Sequence, residues 1–177
     1  MRRGLAGLTT GLAGRAWWLL LAASLAVLIV LAVHPAPVGP EQPIPFSHRL
    51  HAGDKGISCL FCHDDADRSP EPGLPELQKC LLCHNVIAVN LPPIQKLHQY
   101  YDSGQPVPWV RVYRLSDFAF FNHAAHVRRN VDCSVCHGDV KDMDRIVLNQ
   151  KLEMGFCVDC HRQPQNHESV DCWLCHR

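Results

Sequence analysis

The sequence predicts a chain with little regular secondary structure, in which short helices and loops surround a core that the polypeptide does not itself supply, after one apolar N-terminal helix. Three observations predict this. The 177 residues hold 10 cysteines and 12 histidines. The cysteines fall into five C-x-x-C pairs, Cys59/Cys62, Cys80/Cys83, Cys133/Cys136, Cys157/Cys160 and Cys172/Cys175, and none is left over. Residues Ala16 to Val33, AWWLLLAASLAVLIVLAV, run without a charge.

The pairs come first. C-x-x-C alone fits zinc ribbons and redox dithiols, and ten cysteines alone fit a disulfide scaffold. None of these asks for histidine at the next position. Here histidine follows every pair, as His63, His84, His137, His161 and His176. With 12 histidines in 177 residues, five such coincidences are beyond chance. C-x-x-C-H is the attachment sequence of a c-type haem. The two thiols add to the haem vinyl groups as thioethers, and the adjacent imidazole binds iron on the proximal side. Five covalent haem c groups follow, so the fold class is a multihaem cytochrome c. So few residues per macrocycle cannot build five separate pockets, and the haems must form much of the core and lie close together.

The uncharged run is long enough for a membrane-spanning helix, at the short end of the range. Arg2, Arg3 and Arg15 precede it, and no Lys or Arg follows until Arg49. The positive-inside rule then puts the N-terminus in the cytoplasm and the remainder on the outer side. The expectation is a single-pass protein of the cell membrane with its haem domain periplasmic, or extracytoplasmic. A cleaved signal peptide is the competing reading, and no clean small-x-small site stands before His34-Pro35. Residues 1–33 are thus an anchor. Residues 34–45, with five prolines in HPAPVGPEQPIP, are an extended tether. Residues 46–177 are the haem domain.

That domain repeats internally. FSHRLHAGDKGISCLFCH (Phe46 to His63) and FNHAAHVRRNVDCSVCH (Phe121 to His137) share a layout: aromatic, polar, His, two residues, His, then C-x-x-C-H. A second motif follows each, giving di-haem modules over 46–84 and 121–161 and a terminal haem at 172–176. Elsewhere, Asp67 to Glu76 reads as a loop, Ile94 to Gly104 as a short helix ended by glycine, and Trp109 to Tyr113 as a strand or extended segment.

Each iron has a second axial position, and histidine or methionine there gives electron transfer. Of the three methionines, Met1 precedes the apolar run, which leaves Met143 and Met154. Histidine is abundant, so bis-histidine ligation is the economical reading. Residues i and i+3 share a helical face, so each H-x-x-H can join two neighbouring haems. His123 would serve the haem of Cys133/Cys136 and His126 a neighbour. His48 and His51 would do the same around the haem of Cys59/Cys62. For the fifth distal position the candidates are His167 and His98, with Met143, Met154 or an open site behind them. His34 reads as a bystander.

All 17 acidic residues, and all but three of the 17 basic ones, follow the apolar run, and the net charge is zero. No basic stripe marks a nucleic-acid partner.

The pattern resembles the class III multihaem cytochromes and, more closely, the pentahaem cytochrome c subunit of alternative complex III, a quinol-oxidising membrane complex. The resemblance runs from Ile44 nearly to the end and rests on FSHRLHAGDKGISCLFCH, PVPWVRVYRLSDFAFFNHAAH and MGFCVDCHR. It implies a subunit that relays electrons to an acceptor protein beside an iron–sulfur protein and a mono-haem cytochrome, with the quinol site in other, membrane-embedded subunits. Two alternatives stand beside it: a free-standing quinol dehydrogenase or relay serving a periplasmic reductase, and a multihaem reductase. The second needs an openly or unusually ligated haem; no C-x-x-C-K occurs, and spare histidines suffice to close every iron.

Overall fold

The structure is a computed structural model that describes residues 6–33, 39–166 and 170–176. The chain divides into two compact units, Met1–Pro37 and Val38–Arg177.

The first unit holds helix α1, Ala6–Val33, rich in the helix formers Leu and Ala. The expected membrane span is corrected here: among the described residues no helix is long and apolar enough to cross a membrane. The opening of α1, AGLTTGLAGR, sets glycine, threonine and Arg15 ahead of the apolar run. The single-pass location, the inward N-terminus and the outer placement of the remainder fall with the span. His34, the first part of the proline-rich tether and His167 lie outside the described residues.

The second unit is built of short helices: α2 (Cys59–Cys62), α3 (Leu77–His84), α4 (Pro92–Ser103), α5 (His123–Val127), α6 (Cys133–His137), α7 (Met154–His161) and α8 (Cys172–Cys175). Every C-x-x-C-H sits in or at the end of one of them. A single helical turn puts residues i, i+3 and i+4 on one face, so both thiols and the imidazole face the same way. The turn closes through the histidine itself: His63 N–H donates to the Cys59 carbonyl at 2.8 Å and His176 N–H to that of Cys172 at 2.9 Å.

The predicted 94–104 helix is α4. It begins two residues earlier because Pro92 and Pro93 suit a first turn, and it ends at Gly104, which takes the left-handed conformation at φ 67°. There is no strand among the described residues. Trp109 to Tyr113 has no regular secondary structure, and Gln42 stands in for a partner strand: its side-chain amide donates to Val110 O at 3.0 Å and accepts from Val110 N–H at 2.9 Å.

The polypeptide's own core is small. Ile44, Leu81, Leu97 and Val107 cluster, with Leu77, Cys80, Tyr100 and Trp109 against them. Among the described residues no side chain is fully buried.

Two seams hold the repeats together. A π-helical turn, Arg49–Asp54, packs against a 3-10 turn, Val140–Asp142. Asp144 closes this seam, accepting from Arg49 at 2.6 Å and from the Ser47 hydroxyl at 2.7 Å. Gly53 lies so close that a Cβ there would meet the Lys141 carbonyl oxygen at 2.5 Å. In the second seam, α5 leans on the 67–70 loop: Ala124 N–H donates to Ser69 O at 3.1 Å and Arg128 Nε to Asp67 O at 2.7 Å. The C-terminal motif is fastened by Phe120 N–H, which donates to Cys175 O at 2.8 Å.

Candidate haem-binding site

Both F-x-H-x-x-H segments are built alike. The polar residue caps the turn: Ser47 Oγ accepts from Leu50 N–H at 3.0 Å, and Asn122 Oδ1 from Ala125 N–H at 3.2 Å. The same residues' carbonyls accept from the second histidine's Nδ1, His51 and His126, at 2.8 Å each. The leading phenylalanine wedges both rings. Phe46 meets His48 edge-on at 4.8 Å and stacks on His51 at 4.4 Å. Phe121 meets His123 edge-on at 4.7 Å and stacks on His126 at 4.4 Å.

The histidine rings then pair across the fold. His51 lies 6.1 Å from His84, His123 lies 6.4 Å from His137, and His126 lies 5.9 Å from His161, centroid to centroid. His48 is within electrostatic reach of His63. Two iron–nitrogen bonds of about 2 Å, with the half-rings beyond them, put opposed axial imidazoles about 6 Å apart. The donor set therefore fits a haem iron held between each pair.

Tautomers agree. A carbonyl only accepts, so each Nδ1 against one must donate, which leaves Nε2 as the nitrogen for a metal. His63 Nδ1 donates to Gly73 O (2.9 Å), His84 to Ile87 O (3.0 Å), His123 to Pro70 O (2.8 Å) and His176 to Phe118 O (3.1 Å). His48 Nδ1 is buried without a partner. Burial holds His48 down at about 4, with His63 and His51 adding to the effect, and burial likewise lowers His137, helped by His123 and His63. Both shifts favour the neutral imidazole, the form that binds a metal. Tyr113 packs edge-on against His137 at 4.6 Å, and its hydroxyl lies 3.2 Å from the carbonyls of His137 and Val147.

The remaining candidates are placed differently. His98, on α4, turns Nε2 toward the His84 carbonyl at 3.3 Å, so its ε nitrogen is the donor. His176 packs against Phe118 at 5.7 Å. Met154 is exposed. The ten cysteines are unbridged. Among the described residues no group of three His, Cys, Asp or Glu side chains converges as a bare metal ion would need.

Phe46 and Phe121, the loop carbonyls of Pro70 and Gly73, and Tyr113 are absent from the sequence-derived site. The repeat marks the two aromatics; nothing in the sequence marks the rest.

Paired thiols and imidazole on one helical face, opposed by a second imidazole, define a multihaem c-type cytochrome. Comparison with known proteins agrees. Residues 119–177 match the family of cytochrome c7 and related cytochrome c. The chain is 31% identical to the menaquinone reductase multiheme cytochrome c subunit of Nitratidesulfovibrio vulgaris, over 77% of this chain and 77% of that one. The protein belongs to this multihaem cytochrome c family, whose members carry covalently bound haem c.

Proposed function

We propose that the protein is a pentahaem electron relay, a subunit of a quinol-linked oxidoreductase complex. The observation that carries this is the set of opposed imidazole pairs, each with one ring from a C-x-x-C-H motif. Haem iron supplies one-electron exchange between its ferric and ferrous states. The chain's residues do the rest. Ten cysteines, Cys59 to Cys175, fix the groups, and His63, His84, His137, His161 and His176 hold the proximal side. His48, His51, His123 and His126 close the distal side of the first four. Closed irons favour electron transfer over ligand chemistry. Backbone carbonyls lock the rings of His51, His63, His84, His123, His126 and His176, so little reorganises there when charge changes.

The relative is by name a subunit of a menaquinone reductase, which supports a place beside quinol-handling subunits. The segments resembling alternative complex III point the same way, toward partners that include an iron–sulfur protein and a mono-haem cytochrome.

Purification of the native assembly tests this. The expected result is five haems per chain by haemochrome assay, a low-spin spectrum for at least four, partner subunits in fixed stoichiometry, and reduction of the haems by menaquinol only in the assembly. Isolation as a lone chain that menaquinol reduces directly would favour the free-standing dehydrogenase.

A further inference from the structure

Neighbouring attachment sites are joined in four places. His48 and His51 share one turn, and Cys62 lies within electrostatic reach of Cys80. This couples the motif at Cys59–Cys62 to that at Cys80–Cys83. Lys79 bridges the same pair of helices, 2.7 Å from Asp64. His123 and His126 share α5, and Cys136 lies within reach of Cys157 and Cys160, which couples Cys133–Cys136 to Cys157–Cys160.

The other two links cross between the repeats and the end of the chain. One loop serves two sites: Gly73 O holds His63 and Pro70 O holds His123. Cys59 and Cys133 also lie within electrostatic reach of each other. The first motif of one module thus adjoins the first motif of the other. The terminal motif is held by Phe118 and Phe120, which lead straight into α5, and Cys157 lies within reach of Cys175.

We propose that the five attachment sites form one unbranched line in an order the sequence does not follow: Cys80–Cys83, Cys59–Cys62, Cys133–Cys136, Cys157–Cys160, Cys172–Cys175. The modules meet head to head through their first motifs. The two ends, the places open to redox partners, are the second motif of the first module and the terminal motif. This order rests on the ligand reading above and extends it.

The test uses the haem-loaded full chain and three variants, His51→Met, His123→Met and His126→Met. Each exchanges one imidazole for a thioether, which raises the potential of one centre. In an EPR-monitored redox titration that centre is reduced first, and loss of magnetic coupling identifies its neighbours among the remaining ferric signals. His51→Met is expected to shift one other signal, and His123→Met and His126→Met two each. Two shifted signals in His51→Met, or one in both of the others, overturns the order. A haem-loaded variant in which no single centre changes its potential overturns the ligand reading instead, so the two failures are told apart. If His51→Met does not take up its haem, the double variant Cys80→Ala, Cys83→Ala removes the same centre, and one lost coupling is expected. The two inner variants replace each other in the same way.

Discussion

Phe121 touches two imidazoles at once, edge-on to His123 and stacked on His126, so one side chain orients rings that belong to two different pairs. Its removal should be felt twice. Phe121→Ala is expected to destabilise the loaded protein by about 1 kcal/mol or more and to turn part of the low-spin spectrum high-spin, read by thermal melting and visible absorption. Phe46→Ala should reproduce the effect in the first module. Tyr113→Phe keeps the ring against His137 and removes the hydroxyl. It should cost about 1 kcal/mol in melting with the spectrum unchanged. Of these residues the sequence marked only Phe46 and Phe121, because they recur at matched places. Pro70 and Gly73 were illegible, since they act through their carbonyls and any residue has one.

The seam between the π-helical turn and the 140–144 segment depends on a close approach that a methyl group prevents. Gly53→Ala is expected to destabilise the domain by about 1–3 kcal/mol, the usual cost of overpacking, measured by thermal melting. The ion pair beside it makes a separate, pH-dependent contribution. Hydrogen bonds from Arg49 and then Ser47 hold the Asp144 carboxyl below its ordinary range. A depressed carboxyl stabilises above its unfolded pKa, near pH 4, and that stabilisation is lost as pH falls through the lower folded value. The melting difference between wild type and Asp144→Asn should therefore be present at neutral pH and vanish in strong acid. At this scale α4 was readable from Gly104, which ends it, while its start lay two residues earlier than read because Pro92 and Pro93 form its first turn. The 109–113 segment invited a strand because its residues are β-formers. Its backbone partner proved to be the amide of Gln42, 68 residues away in sequence, a contact that no local pattern encodes.

The second unit contains few buried apolar residues, too little to offset the entropy of ordering such a chain. Replacing all ten cysteines by serine is expected to abolish cooperative unfolding, followed by circular dichroism, because the haems would no longer be fixed in place. The five C-x-x-C-H motifs and the two H-x-x-H segments could be read from spacing alone. Which rings oppose which could not, because the pairs His51/His84 and His126/His161 are set by how the helices pack. The N-terminal run was read as a span from its lack of charge, and among the described residues no helix is long and apolar enough to cross a membrane. The sharing of the 67–73 loop has a further consequence for biosynthesis. His48, His51, His63 and His84 all precede Asn85, and Asp67, Ser69 and Pro70 are in place before α5 emerges. The first two groups' ligands are therefore all synthesised before α5, and the loop on which α5 leans precedes it in the chain.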